Sequence, residues 1–218
     1  MPVVINSALN SLAALAAYRN DYARATVLLE EGLGIARAAG DVRGIAIHTT
    51  SLGATAVVTG EFERAEVLLH EGREMFWKLG DWLHVSVADI NLGNLALARN
   101  DFDLAEKQCL KVILDLQERA DVFGIDGALD ILASVTASRG EIRRAVRIWG
   151  GVEGYRDARD IPRAPDEREM IEPHIAAART RLDEAAWEEE WKRGKSMTLD
   201  QTVDYALEDS GDRANEQG

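Results

Sequence analysis

Apolar residues recur at intervals of three and four along most of the chain. Between residues 62 and 76 they are Phe62, Ala65, Leu68, Leu69, Gly72, Met75 and Phe76, and Glu-rich positions fill the gaps. That spacing puts one apolar stripe on an α-helix and leaves the other face solvated. The stripe opens with Gly60-Glu61-Phe62-Glu63-Arg64-Ala65, which the chain nearly repeats at steps of 40 residues. Asn20-Asp21-Tyr22-Ala23-Arg24-Ala25 precedes it, Asn100-Asp101-Phe102-Asp103-Leu104-Ala105 follows, and Gly140-Glu141-Ile142-Arg143-Arg144-Ala145 is a worn fourth copy. A fixed period of a few tens of residues marks a stacked repeat.

Aligning the copies exposes the constrained columns. Leu12, Leu52, Leu92 and Leu132 share one; Ala13, Gly53, Gly93 and Ala133 share the next; Ala25, Ala65, Ala105 and Ala145 share a third. Small residues in fixed columns let two helix backbones approach closely. Gly60 and Gly140, or Asn20 and Asn100, stand where a helix ends in positive φ. Gly40 and Gly80 each precede an aspartate, Asp41 and Asp81, suited to capping the next helix, whereas Ala120 precedes Asp121 without the glycine. The pattern predicts first helices near 3–18, 42–58, 82–98 and 122–138, and second helices near 22–38, 62–78, 102–119 and 142–157. Met1 stands almost in the column of Asp41 yet offers no cap, and Val3, Val4 and Ile5 follow it. That start reads as a fragment cut at a repeat boundary.

After Arg159 the period stops at a proline-bearing loop. Three further helices are expected: one from near Asp166, with Pro173 kinking or restarting it; one holding Trp187 and Trp191 a turn apart; and one announced by the capping box Thr198-Leu199-Asp200-Gln201. The expected organisation is four units (1–40, 41–80, 81–120, 121–160), capping helices over 161–208 that cover the last repeat, and a disordered tail over 209–218.

Composition narrows the function classes. The chain has 218 residues, 46% of them hydrophobic and 6% aromatic, with four prolines, which favours an all-α fold with a continuous core. A formal charge of -13 repels nucleic acid and acidic lipid. Residues 161–218 carry 8 Lys or Arg against 15 Asp or Glu, a solvated cap or an acidic docking surface. The lone Cys109 falls in the column of Leu29 and Leu69 and reads as a small buried hydrophobe, and a single thiol fits a reducing cytosol. No apolar run approaches the roughly 18 residues that span a bilayer, and the first residues lack a basic leader. The reading is cytoplasmic, without a membrane.

No phosphate-binding loop, metalloprotease helix, nucleophile elbow or dinucleotide fingerprint occurs. Gly32-Leu33-Gly34 lacks the third glycine and lies within a helix. The histidines, His48, His70, His84 and His174, have no second His or Cys three or four residues on. No catalytic, cofactor or metal site is expected. His48 stands in a column otherwise filled by Ala8, Ala88 and Ala128, so its ring is either a ligand contact or the filling of a gap between repeats. Trp187 and Trp191 read first as cap core.

Leu52-Gly53, Ala56, Gly60, Phe62 and Ala65, with their counterparts, resemble the tetratricopeptide repeat, whose unit is about 34 residues. The extra length falls in longer helices, and the family's early Trp and late Pro are missing. Arg147-Ile148-Trp149-Gly150-Gly151-Val152-Glu153, with Trp187, Trp191, Gly194 and the stretch from Met197 to Leu207, looks like the C-terminal repeat region of bacterial STAND-type ATPases and LuxR-type transcriptional regulators. The resemblance implies a right-handed α-solenoid of about four hairpins that binds a protein or peptide segment, including one from another domain of the same protein. First helices would line a concave groove. Its positions, carried over by column, are Asn10 and Ala14, Thr50 and Ala54, Asn94, and Asp130 with Ser134; Ile90 breaks the third unit's column and neighbouring Asn91 replaces it. The Lys and Arg clamp for a terminal carboxylate is missing from these columns. Two alternatives stay open: a structural or homo-oligomerising module, acting through the first helix or the acidic tail, and a small-molecule receptor.

Overall fold

Each polar or glycine-bearing turn in the pattern ends a helix. A computed structural model describes residues 2–163 and 165–208, and every element among them is helical. They are α1 (Pro2–Tyr18), α2 (Tyr22–Ala39), α3 (Val42–Val58), α4 (Phe62–Lys78), α5 (Trp82–Ala98), α6 (Phe102–Glu118), α7 (Ile125–Ser138), α8 (Ile142–Asp157), α9 (Pro165–Arg179), α10 (Glu184–Lys195) and α11 (Leu199–Leu207). The tail expected over 209–218 lies outside the described residues.

The turns explain the regularity. Asn20, Gly40, Gly60, Gly80, Asn100, Ala120, Gly140 and Asp160 all have positive φ, from 52° to 100°. The backbone N–H of residues 21, 41, 61, 81, 121, 141 and 161 donates to the carbonyl five residues earlier, the Schellman closure of a helix end. The next helix is then capped. Asp21, Asp41, Asp81 and Asp101 each accept from the amide three residues on. Glu61 and Glu141 are a methylene too long for that bond and pair instead with Arg64 and Arg144, at 3.0 and 3.1 Å.

The fourth unit departs from the expected start near 122. Asp121 accepts from the amide of Phe123 at 3.0 Å, forming a local turn, and Gly124 with φ 81° restarts the chain three residues late. Ala120 holds its left-handed conformation without the glycine of the other copies.

The chain divides into two compact units, one reaching from the first helix to Arg99 with the start of α9 to Glu169, the other holding Asn100–Arg163 and the chain from Met170. In the first, α2 packs on α1 and α3, and α4 on α3 and α5; α3 also touches α1 and α5. In the second, α7 packs on α6 and α8, and α8 takes α10 and α11. Small columns make the contacts tight. A Cβ built on Gly53 would stand 2.8 Å from Leu69 Cγ, and Ala25, Ala65, Ala105 and Ala145 are at most 1% exposed. The Leu12 column is less uniform: Leu52, Leu92 and Leu132 are buried, while Leu12 is 51% exposed.

The C-terminal helices settle on α8 through glycine. Gly194 of α10 approaches the main chain of α8 so closely that a Cβ there would lie 2.1 Å from the Arg147 carbonyl oxygen. Buried Glu190 accepts from Arg147 at 2.5 and 2.8 Å beside that contact. Trp187 is buried and stacks with Trp191, centroids 6.0 Å apart, so this pair is cap core. Helix α9 runs through Pro173 without restarting, and the Thr198–Gln201 capping box forms as expected.

Three substitutions test these constraints. Gly194→Ala should lower stability by about 1–3 kcal/mol or more, because the neighbour is backbone and cannot rotate away, whereas Gly34→Ala, mid-helix with open space around it, should raise it by about 0.5–1 kcal/mol. Ala120→Gly should add about 1 kcal/mol by relieving the left-handed alanine. Chemical denaturation of the three variants reads all of this, and an unchanged midpoint for Gly194→Ala would refute the close approach.

Candidate functional site

Helices α1 and α3 leave a cleft between them. It holds about 180 Å³ and is lined by Asn10, Ala14 and Ala17 of α1, Ser51, Ala54 and Thr55 of α3, and Tyr22 at the start of α2. Alanines form its walls because the columns that face it hold small residues. Its polar rim is short: the Ser51 hydroxyl donates to Asn10 Oδ1 at 3.4 Å, and the Thr55 hydroxyl donates back to the Ser51 carbonyl. Tyr22 donates its phenol to Glu169 at 2.8 Å, tying the start of α9 to this unit. A volume this size admits one side chain of a peptide and falls below the roughly 300 Å³ usual for a small-molecule pocket.

The candidate residues separate by position. Asn10, Ala14 and Ala54 meet at the cleft. Thr50 does not: it is 5% exposed, its hydroxyl has no partner, and a Cβ on Gly72 would lie 2.1 Å from it. Thr50 is thus the packing partner of Gly72 and is inaccessible to a ligand. Asn91 and Asn94 are half-buried on α5, Asn91 donating to the carbonyl of Val87 at 2.9 Å. Ser51 was missed, although it occupies the Asn91 column and was legible there.

Asp130 and Ser134 also lie in the interior, at 2% and 0% exposure. Ser134 donates to the Asp130 carbonyl within its own helix at 2.8 Å. The Asp130 carboxylate takes the guanidinium of Arg163, from the loop after α8, and has Arg156 at 4.0 Å; Asp126 holds Arg156 at 2.8 Å. Burial wins over both arginines and pushes the Asp130 carboxyl up to about 6. Asp130 is therefore an internal fastening for Arg163, Ser134 is spent on its own helix, and both are buried away from a partner.

His48 fills a gap. It is 1% exposed, and a Cβ on Gly32 would stand 2.3 Å from its ring. Burial lowers its pKa against the opposing pull of Asp41, so the ring is neutral, and Nδ1 has no hydrogen-bond partner. Buried Cys109 behaves as a hydrophobe, its thiol pKa raised by burial. No group of three or more His, Cys, Asp or Glu among the described residues could hold a metal ion, and no described helix is long and apolar enough to cross a membrane.

Residues 7–39 match the tetratricopeptide repeat. The match takes in α2 and most of α1, including Asn10 and Ala14 of the cleft. No curated protein matches the chain. A tetratricopeptide region is a protein–protein interaction module of a kind that is typically non-catalytic.

The Asp130 cluster makes a pH prediction. Its carboxyl is raised from 3.8 to about 6 on folding, so the folded state holds the extra proton between those values. This group's contribution to stability is full below the lower value and is lost as pH rises through the upper. Relative to Asp130→Asn, the natural protein should gain about 1–3 kcal/mol between pH 7 and pH 4. Denaturant midpoints across that range check it; parallel profiles would show that Asp130 folds with an unshifted carboxyl.

Proposed function

We propose that this chain is a non-enzymatic, cytoplasmic interaction or effector-sensing region. It forms the C-terminal part of a larger bacterial signalling or transcriptional regulator of the STAND or LuxR kind. It comprises four forty-residue units and a C-terminal cap, and it receives a protein or peptide segment and neither nucleic acid nor membrane. The observation that carries this is the α1–α3 cleft, a largely apolar slot with a polar rim whose α1 and α2 side lies in the segment that matches the tetratricopeptide repeat. Asn10 and Ser51 supply donors and acceptors to a peptide main chain at its rim, and the alanine floor takes one side chain. Asn91 and Asn94 extend the same recognition along α5, where α5 packs beside α3.

Selection from a displayed random-peptide library supplies the test. Selected peptides should lose affinity by about tenfold or more on Ala54→Arg, which fills the slot from a half-buried surface position. The melting temperature should stay unchanged. Retained affinity, or a library that yields no binder, would overturn the groove.

A further inference from the structure

An arginine follows each of α5, α7 and α9. Arg99 reaches back to Glu66 at 2.7 Å and Glu63 at 3.5 Å on α4, and Arg139 reaches back to Glu106 and Asp103 on α6, both at 2.7 Å. Helix α9 lies outside the forty-residue period, yet Arg181 just beyond it takes the same kind of place against α8. Its guanidinium donates to the Ala137 carbonyl at 3.3 Å and lies 3.6 Å from where a Cβ on Gly140 would stand, at the turn into α8. There the acidic columns fail. One holds Glu63, Asp103 and then Arg143, and the other holds Glu66, Glu106 and then Val146. Arg179, forty residues on from Arg139, is spent on Glu184 at 2.5 Å. Among the described residues Arg181 has no carboxylate partner.

A cleft of about 600 Å³ opens where these arginines meet, lined by Arg143, Arg144 and Arg181 together with Glu141. Arg144 is held in place: it pairs with Glu141 at 3.1 Å and donates to the Ala206 carbonyl at 3.1 Å. Arg143 is 57% exposed and only approaches Glu190, at 3.5 Å, which Arg147 already holds at 2.5 Å. A guanidinium carries five N–H donors in a planar fork, so Arg143 and Arg181 keep most of theirs for a ligand. Three arginines against one carboxylate leave a local charge of +2, in a chain of -13. A single carboxylate falls short of that, whereas a phosphate monoester carries about -1.5 to -2 at pH 7 and suits the forks. Ile142, Leu182 and Tyr205 add apolar surface to the lining. The volume lies within the roughly 300–1,000 Å³ of small-molecule sites.

We propose that this cleft binds the phosphate group of a phosphorylated small molecule. The forks of Arg143 and Arg181 hold it where the second and third units carry their own carboxylates, and the apolar lining takes the organic part. The site is separate from the α1–α3 cleft and stands without it.

The probe is phenyl phosphate, titrated into the intact chain in a phosphate-free buffer and read by phosphorus NMR. Its signal should shift saturably, and Arg181→Ala, at an exposed position, should weaken the binding about tenfold or more. Arg143→Glu puts back the carboxylate of the other units and should abolish binding without lowering the melting temperature. Inorganic phosphate should bind more weakly than phenyl phosphate, because it leaves the apolar lining bare. Ala54→Arg should leave all of this unchanged, which separates the outcome from that of the α1–α3 cleft. No saturable shift, or equal binding by the natural protein and both arginine variants, would overturn the proposal. So would equal affinity for inorganic phosphate, which would make this a bare anion site. Binding that appears only after Asp209→Asn with Asp212→Asn would also overturn it, by assigning the cleft to carboxylates of the same chain.

Discussion

One left-handed residue every twenty fixes everything else in this chain. Where residue 20, 40, 60 or 80 takes positive φ, the helix before it closes with a bond from the following amide to the carbonyl five residues back. The next helix can then start within one residue, from an aspartate or, after residue 60, from Glu61. Helix length is thereby held at 17 or 18 residues from α1 to α6, and equal lengths keep every column in register with its counterpart. The constraint is strong enough to hold Ala120 and Asp160 left-handed, a conformation that costs an L-residue about 1–2 kcal/mol. Both end helices that are otherwise well packed, so packing outweighs the strain.

Once register is fixed, side-chain size decides how closely neighbouring helices lie. Gly32 receives the His48 ring and Gly72 receives the Thr50 hydroxyl, while Gly194 brings α10 onto the carbonyl of Arg147. In each case a group on one helix seats where only a glycine leaves room on the other. The unusual side chain and the glycine are one packing solution. The Trp149-Gly150-Gly151 stretch belongs to the same account: Trp149 is fully buried, and its two glycines face Trp191 and Thr202.

The helices and turns were legible because they depend on residues close in sequence. Period, glycine placement and the aspartate after each turn predict α1 to α6 to within a residue or two, and α7 misses by three because Asp121 bonds to Phe123 and Gly124 restarts the helix. The site was less legible. Thr50 and Asn10 share a column, yet one is buried on Gly72 and the other rims a cleft, since the residue facing each lies on another helix. Asp130 reads as an open groove position until Arg163, 33 residues later, closes on it. Nothing near Asp130 in the sequence announces that partner, and the loop carrying Arg163 lies outside the repeat pattern.

Comparison of copies therefore needs a different rule from the one the sequence invites. Positions where the copies differ attract attention, but His48, Thr50 and Asp130 are each taken up by a neighbour inside the fold: Gly32, Gly72 and Arg163. Each difference is answered inside the fold and leaves nothing over for a partner. The informative positions are those where the copies agree and their surroundings do not. Leu12 is the same residue as Leu132, and Arg19 the same as Arg139, yet Leu12 is half-exposed where Leu132 is buried. An apolar side chain left in water forfeits about 25 cal/mol for each Å² it could have buried, and α1 bears five large ones side by side. Identity within a column therefore reports the packing the repeat is built for, and exposure reports whether a neighbouring helix supplies it.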